Sequence, residues 1–289
     1  MATLSIGGGN WSGTVYGNSK VYAGNGNDAI TVSGGTGFVQ VGAGTDNIEI
    51  YDDGTVVAGN GDDSINIGGS GQVTAGGGND SVTLHNNGHL TIGAGFDTIS
   101  LIDSGTITQL GASGVDTISP LGYGSDTIFE AGKAFVGNPY GTATISGGEL
   151  KVINQPGVHT LDAVSGKATL IGGEYSNTFM GGTGAVVMQG GLGADTFVGG
   201  SGSDTMTGGS NTNLFEFLAG DKGGSHVITN FVSGQDQLYL EGQSLSYLQA
   251  HHDITVSGGN TIITLDGGAT TIELKGVTSL SSSDITTHK

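Results

Sequence analysis

A glycine-rich corner that ends in aspartate, Gly-x-Gly-x-Asp, recurs every seventeen or eighteen residues in the first half of the chain. This spacing is the length of one coil of a β-solenoid, in which equivalent residues of successive coils stack about 4.8 Å apart. Carboxylates stacked this closely repel one another unless a cation lies between them. The spacing therefore predicts a solenoid with metal ions along one edge. The predicted site residues are Gly24, Gly26 and Asp28; Gly42, Gly44 and Asp46; Gly59, Gly61 and Asp63; Gly76, Gly78 and Asp80; and Gly93, Gly95 and Asp97.

The residues between two corners alternate between apolar and polar, as strands with one buried face do. Ile30 and Val32 follow the first corner, and Val39 and Val41 follow a glycine turn further on. We expect each coil to run as strand, plain turn, strand and acidic turn. In the first coil Trp11 stands in the register of the aspartate, and we expect it to cap the core. A sugar-binding aromatic is the alternative for this residue.

The period drifts after Asp97, and we expect the regular stack to end there. Asp116 and Asp126 follow at irregular spacing and are included as candidate metal ligands. Asp52, Asp53 and Asp103 fall at the opposite, plain turn, where we expect them to face solvent.

Composition narrows the classes of function. The 59 glycines among 289 residues are roughly three times the usual share, and hydrophobic residues make up 35 %, enough for a core. The net charge of −19 makes nucleic acid and anionic membranes poor partners and suits divalent cations. The chain has no cysteine, so neither disulfides nor thiolate sites hold it together. We expect no membrane span and no cleaved Sec leader.

A second array of five tandem nine-residue units covers residues 172–216. Its third and fourth units match the pattern G-G-x-G-x-D-x-U-x of calcium-binding β-helices. The chain here resembles the hemolysin-type, or RTX, calcium-binding family. The resemblance adds Gly191, Gly193, Asp195, Gly200, Gly202 and Asp204 to the candidate metal residues.

The resemblance implies that two nonapeptides make one coil, and that main-chain carbonyls and aspartates bind several Ca²⁺ ions between coils. Partners on one side then lie eighteen residues apart. This places Asp195 between Asn177 and Asn213. It places Asp204 over Val186 and near Asp221 and Lys222. We therefore expect the first array, where aspartate follows aspartate, to bind more securely than the second.

Residues 214–242 and 260–285 resemble the C-terminal regions of serralysin-type proteases and other type I secretion substrates. The resemblance implies an uncleaved export signal and a secreted, extracellular or cell-surface location in a bacterium. The same region is expected to form an antiparallel β cap, built from Phe215, Phe217, Ile228, Phe231, Leu238 and Leu240.

The predicted fold is an all-β, calcium-stabilised parallel β-solenoid (β-roll) with two repeat arrays and a C-terminal β cap. Its predicted segments are a solenoid over 1–130, a β connector over 131–171, the nonapeptide β-roll over 172–217, and the cap with the export signal over 218–289.

Catalytic motifs are missing from the sequence: it has neither an HExxH helix nor a G-x-S-x-G elbow. His85 and His89 lie four apart on a glycine turn, where the spacing does not bring both rings to one face. We expect no enzyme. The favoured function is a secreted protein that folds on calcium and serves as a structural, adhesive or self-assembling surface or matrix component. The alternative is an accessory or secretion module of an extracellular enzyme that binds carbohydrate or a partner. The outward threonine rows are too irregular and too charged for ice binding.

Overall fold

The computed structural model describes residues 1–109, 114–121, 125–138, 142–154, 160–163 and 167–288. The fold is almost entirely β, with parallel strands stacked into solenoid coils. The chain divides into two compact units, Met1–Thr142 and Ala143–Lys289. No helix among these residues is long and apolar enough to cross a membrane.

The first unit consists of strands that alternate between two parallel stacks. The strands are β1 (Ala2–Ser5), β2 (Ser12–Tyr16), β3 (Ser19–Tyr22), β4 (Ala29–Ser33), β5 (Gly37–Gln40), β6 (Asn47–Ile50), β7 (Gly54–Val57), β8 (Ser64–Thr74), β9 (Ser81–Ile92), β10 (Thr98–Ile102), β11 (Gly105–Gln109), β12 (Asp116–Pro120) and β13 (Ser125–Asn138). The long strands β8 and β9 each run through the plain turn and so belong to both stacks.

One stack pairs β2, β4, β6, β8, β9, β10, β12 and β13 in order, and the other pairs β1, β3, β5, β7, β8, β9, β11 and β13. From β3 to β11 the alternate apolar residues are buried, as the sequence pattern predicts, whereas Leu4 and Val15 of the first coil are half-buried. Ile30, Ile48 and Ile65 illustrate one buried column, each at most 1 % exposed. Parallel in-register pairing keeps like residues above like residues, so one narrow core runs through the coils.

Trp11 lies at the first coil and is half-buried. A Cβ placed on Gly13 would lie 2.6 Å from the indole ring of Trp11. Gly13 pairs with the buried Ile30. The indole therefore folds over a core position that has no side chain of its own, in agreement with the predicted cap.

The regular stack does not end after Asp97, contrary to expectation. Strand β12 pairs in parallel with β10, and β13 pairs with β11 and β12. The extra residues of this coil fall in the sequence between β11 and β12, and the pairing of both strands stays in register.

The second unit has two further parallel stacks. Its strands are β14 (Thr142–Asn154), β15 (Thr160–Ala163), β16 (Lys167–Ile171), β17 (Thr178–Met180), β18 (Ala185–Gly191), β19 (Thr196–Val198), β20 (Thr205–Gly209), β21 (Leu214–Phe217), β22 (Ser225–Ile228), β23 (Gln237–Leu240), β24 (Ile254–Ser257), β25 (Asn260–Leu265), β26 (Thr270–Leu274) and β27 (Ile285–Thr286). A short helix, α1 (Leu245–Ala250), and 3₁₀ turns at Asp266–Gly268 and Ser282–Asp284 complete it.

One stack contains β15, β17, β19, β21, β23 and β27, and the other contains β14, β16, β18, β20, β22 and β26. Phe179, Phe197 and Phe215 lie one above another with ring centroids 4.9 Å apart. Each nonapeptide therefore supplies one strand, and two nonapeptides complete a coil.

The predicted cap residues are buried, but their strands are not antiparallel. Phe215 and Phe217 on β21 pair in parallel with Leu238 and Leu240 on β23, which continues the coil. Antiparallel pairing is found later, where β24, β25 and β26 form a meander. The parallel stack thus extends past the last nonapeptide, because β23 pairs in register with β21 although no nonapeptide motif precedes it.

Candidate functional site

The acidic turns of the first unit leave no room for side chains at their glycines. From Gly42 and Gly44 onward, a Cβ on either glycine of a corner would lie within 3.0 Å of the carbonyl oxygen of the equivalent glycine one coil earlier. Gly61 also has a φ of +138°, which L residues with a side chain rarely adopt. The turns therefore stack main chain on main chain. The glycines arranged in this way are Gly42, Gly44, Gly59, Gly61, Gly76, Gly78, Gly93 and Gly95, while Gly24 and Gly26 lie against the main chain of residues 7–9.

The aspartates of these corners form a hydrogen-bonded ladder. Oδ1 of each aspartate accepts the backbone N–H of the residue one coil earlier in the same register. Asp28 N–H donates to Asp46 (2.7 Å), Asp46 to Asp63 (2.9 Å), Asp63 to Asp80 (3.0 Å) and Asp80 to Asp97 (2.8 Å). Trp11 N–H donates to Asp28 (2.9 Å), so the tryptophan occupies the first position of the ladder. We call this series the aspartate ladder.

The second carboxylate oxygen of each ladder aspartate is buried and has no hydrogen-bond partner. This holds for Oδ2 of Asp28, Asp46, Asp63, Asp80 and Asp97, whose residues are at most 2 % exposed. Burying an unpaired carboxylate is strongly unfavourable. Ca²⁺ takes six to eight oxygen ligands, which carboxylates and glycine carbonyls supply. The residues of the ladder therefore fit a hard divalent cation.

Burial also raises the pKa values of four ladder aspartates, Asp46, Asp63, Asp80 and Asp97. Burial is the main reason why the pKa of Asp63 rises to about 7. The neighbouring carboxylates raise this pKa further, and the hydrogen bond from the backbone N–H of Asp46 lowers it. The same causes raise the pKa of Asp80 to about 6. Burial likewise raises the pKa of Asp46 and of Asp97. Raised values mean that the folded chain holds these charges at a cost when no cation is present.

Asp116 extends the ladder by one further coil. The backbone N–H of Asp97 donates to its Oδ1 (3.1 Å). Its Oδ2 differs from the preceding five because it accepts a hydrogen bond from Nε2 of Gln109 (2.7 Å), whose side chain is also buried. The side-chain amide of Gln109 therefore satisfies the carboxylate oxygen that has no partner in the five earlier aspartates.

Asp126 does not continue this ladder. Its backbone pairs with Gly105, at the plain turn, whereas Asp116 pairs with Ala134. The side chain of Asp126 lies outside the described residues. This register gives no support for Asp126 as a ligand in the column, although its Gly-x-Gly-x-Asp corner makes it a candidate at irregular spacing.

The nonapeptide array contains a mixed ladder of amides and carboxylates. Asn177 N–H donates to Oδ1 of Asp195 (2.6 Å), and Asp195 N–H donates to Oδ1 of Asn213 (3.0 Å), as the eighteen-residue spacing predicts. Oδ2 of Asp195 is buried without a partner, and burial raises the pKa of this residue. Gly191 and Gly193 border it and leave no room for a Cβ beside the preceding coil.

Asp236 ends this ladder and is a residue that the repeat count missed. Its Oδ1 accepts the N–H of Asn213 and its Oδ2 accepts the N–H of Val232, both at 2.9 Å. The eighteen-residue rule fails here because Asn213 and Asp236 are 23 residues apart. The apolar alternation of β23, which follows Asp236, is the sequence signal that could have located it.

Asp204 lies in the other stack. Gly200 and Gly202 belong to its own turn, and His226 faces it from the next coil. Val186 N–H donates to its Oδ1 (2.9 Å), as predicted. The residue one coil on from Asp204 is His226, whereas the count of eighteen indicates Asp221 and Lys222: Nδ1 of His226 lies 3.1 Å from Oδ2 of Asp204, and Lys222 pairs with Asp266 at 2.9 Å. The loop before β22 is longer than in the earlier coils, so Thr205 aligns with Val227. The neighbour of Asp204 in the next coil is therefore more than eighteen residues away in the sequence.

Other acidic and imidazole groups lie away from these ladders. Asp52, Asp53 and Asp103 are exposed at the plain turn, as predicted, and Oδ1 of Asp53 accepts the N–H of Ser70 (2.8 Å). His89 is exposed and His85 is half-buried. Within the described ranges no group of three His, Cys, Asp or Glu side chains converges on one point. The candidate cation positions therefore combine single carboxylates with main-chain oxygens.

Comparison with known families agrees with this geometry. The RTX calcium-binding nonapeptide repeat matches the chain in four copies, over residues 16–39 and 171–214. No curated protein matches the sequence. The matched segments include the Asp28 corner and the nonapeptides with Asp195 and Asp204. The corners from Asp46 to Asp116 lie outside the matches but share the ladder geometry of Asp28.

Proposed function

Since the chain carries RTX calcium-binding nonapeptide repeats, we propose that it is a secreted, non-enzymatic protein that folds on calcium outside the cell. We further propose that the folded solenoid serves as a structural, adhesive or self-assembling component of a surface or matrix. The observation that carries the first part is the row of five buried Oδ2 atoms without partners in the aspartate ladder.

The ladder explains why folding would depend on calcium. Each Oδ1 is held by a backbone N–H, which fixes the carboxylate, while Oδ2 is buried without a partner. Calcium bound there supplies the positive charge that the stacked carboxylates lack. A cation that binds only the folded chain stabilises that state by mass action. Where calcium is scarce, the unpaired carboxylates and the ordering of 59 glycines oppose folding.

Far-UV circular dichroism in chelator and in millimolar calcium tests this coupling. We expect little β signal in chelator and a full β spectrum on adding calcium. Magnesium is the matched control, because its strict octahedral geometry and slow dehydration suit carbonyl-lined sites poorly. A complete β spectrum in excess chelator contradicts the proposal.

The proposed surface role is supported by aromatic side chains on the outer face of the first unit. Tyr22 and Phe38 lie on adjacent strands with ring centroids 5.6 Å apart, and Tyr16 is exposed nearby in the sequence. Tyr22 is exposed and Phe38 is half-buried, and an aromatic pair on the outer face of two coils suits adhesion or self-association.

Analytical ultracentrifugation and electron microscopy in calcium test self-assembly. We expect ordered assemblies from the native chain and weaker assembly from the double variant Tyr22→Ser with Phe38→Ser. Tyr175→Ser, which alters an exposed tyrosine of the other unit, is the control. Monomers at all concentrations, with calcium-dependent folding intact, contradict the assembly role.

An accessory, carbohydrate-binding module is the second candidate. An open groove of about 520 Å³ at the plain turn is lined by Asn18, Thr36, Tyr51, Asp52 and Asp53. An exposed tyrosine beside amide and carboxylate groups is suited to binding a sugar ring. Calorimetric titration with oligosaccharides tests this candidate, with Tyr51→Ala as the variant. Sugar binding by the native chain that is lost in Tyr51→Ala favours the candidate, and any other result contradicts it.

A further inference from the structure

The pair formed by Asp204 and His226 differs from every other ladder position described above. Nδ1 of His226 lies 3.1 Å from Oδ2 of Asp204, and both side chains are fully buried. Neither atom makes a hydrogen bond, because the N–H···O geometry is not met despite the short distance. Two buried polar atoms thus face each other without the interaction that normally satisfies them.

The other ring nitrogen of His226 indicates which tautomer the neutral imidazole adopts. Nε2 lies 3.2 Å from the carbonyl oxygen of Gly223. A carbonyl only accepts, so Nε2 carries the proton and donates it. In the neutral ring Nδ1 then presents a lone pair. Histidines that bind metals are commonly held in this way, with one N–H donated to a backbone carbonyl and the other nitrogen directed at the ion.

Glycines lie close beside the two atoms. A Cβ on Gly181 would lie 2.9 Å from Oδ2 of Asp204, and a Cβ on Gly199 would lie 3.2 Å from Cε1 of His226. The ring of Phe217 packs against the imidazole with centroids 5.0 Å apart and fixes its orientation. These glycines have no side chain that would cover the pair, and the ring of Phe217 restrains the imidazole.

We propose that Asp204 and His226 bind a borderline transition-metal ion such as Zn²⁺, in place of the calcium taken by all-oxygen positions. Ca²⁺ prefers oxygen ligands, whereas imidazole nitrogen suits zinc and its neighbours. Ligand atoms each about 2.1 Å from zinc lie about 3.0–3.4 Å apart, close to the separation of this pair. Main-chain carbonyls or water complete the ligand set. The inference rests on the proposed function, because Asp204 belongs to a coil that folds on calcium.

Cobalt titration of the full chain in saturating calcium tests the site, since Co²⁺ replaces zinc and its visible spectrum reports nitrogen ligation and geometry. We expect one equivalent of Co²⁺ to bind, and Zn²⁺ to displace it. His226→Gln is expected to weaken binding by at least about tenfold. His89→Gln, which alters an exposed histidine, is the matched control and is expected to bind as the native chain does.

Nitrogen-15 NMR of the histidine rings in the native chain keeps the test independent of how His226→Gln folds. We expect one buried imidazole with Nδ1 unprotonated, whose Nδ1 resonance shifts on adding one equivalent of Zn²⁺. Both ring nitrogens protonated and unchanged by zinc would instead show an imidazolium–carboxylate pair, and would overturn the proposal.

Circular dichroism of the same samples separates this proposal from the calcium proposal. A chain that folds on calcium but binds neither Co²⁺ nor Zn²⁺ overturns the zinc site alone. A chain that folds fully in chelator and binds Co²⁺ through His226 overturns calcium-coupled folding and supports the zinc site.

Discussion

The backbone N–H of Asp63 donates to Oδ1 of Asp80 one coil further on, at 3.0 Å, while Oδ2 of Asp80 remains buried without a partner. One oxygen of each carboxylate therefore holds two coils together and the other faces a position that a cation would fill. The same side chain serves coil stacking and cation binding, and substitutions can separate the two roles.

Asp63→Asn retains Oδ1 as an acceptor but removes the buried charge. In calcium we expect it to lower the free energy of unfolding, because a cation ligand is lost. In chelator we expect the opposite, a gain of about 1–3 kcal/mol, the usual scale for an unsatisfied buried polar group. Urea denaturation followed by circular dichroism measures the loss in calcium, and a β signal in chelator larger than that of the native chain reports the gain. Asp62→Asn removes the same charge at an exposed neighbour and is expected to change neither strongly. Equal losses under both conditions would show that Asp63 is only structural.

The raised pKa values of Asp63 and Asp80 predict that the calcium-free chain is more stable in mild acid. The folded values of about 7 and about 6 lie above the ordinary value of 3.8, so the folded state binds protons more tightly than the unfolded state. This contribution is fully present below about pH 4 and is lost as the pH rises through about 6 and 7. In chelator the β signal in far-UV circular dichroism should be larger at about pH 5 than at about pH 8.

With calcium present, the dependence on pH should reverse over the same range. Protons compete with the cation for the same carboxylates, so calcium affinity should fall as the pH drops below about 7. Calcium titrations at several pH values measure this. A calcium affinity that does not change between about pH 5 and pH 8 contradicts the assignment of the ladder carboxylates as ligands.

Gly61→Ala should disrupt the acidic turn. The glycine has a φ of +138°, and a Cβ would meet the carbonyl of Gly44. Overpacking of this kind costs about 1–3 kcal/mol, and the strained φ adds to it. Gly7→Ala is the control, because a Cβ there meets nothing within 4 Å. Urea midpoints in calcium compare the two, and equal midpoints would show that the turn can open to admit a side chain.

Gln109→Met should destabilise the last corner of the ladder by about 1–3 kcal/mol, because Oδ2 of Asp116 loses its amide donor at nearly constant side-chain volume. Hydrogen exchange of β11 and β12 reports the local effect. Gln72→Met, at an exposed position of β8, is the matched control. Unchanged protection in Gln109→Met would indicate that the amide does not stabilise Asp116.

Much of the candidate site could be predicted because stacked coils repeat in sequence what they repeat in space. Asp28, Asp46, Asp63, Asp80 and Asp97 recur at the coil length, and the structure places them in one ladder. The inner positions follow from alternation, since a strand side chain that is one residue out of register points to the other face. Asn177, Asp195 and Asn213 are aligned by the same reasoning.

The residues that sequence reasoning missed or misplaced lie where coil length changes. Asp204 meets His226 and not Lys222 because the loop before β22 is longer than a repeat, and Asp126 falls at the plain turn for a similar reason. Gln109 and Asp116 are seven residues apart, and nothing in that spacing indicates their contact.

The sequence by itself determined the solenoid, its acidic edge and the need for glycine at the corners, since period, alternation and composition are properties of the chain. Only the tertiary structure decided which carboxylate oxygens lack a partner and which meet Gln109 or His226. The physical reason is that hydrogen bonds between strands align the coils, and turns absorb extra residues without disturbing that alignment. Counting residues therefore identifies the neighbour above only where every coil has the same length.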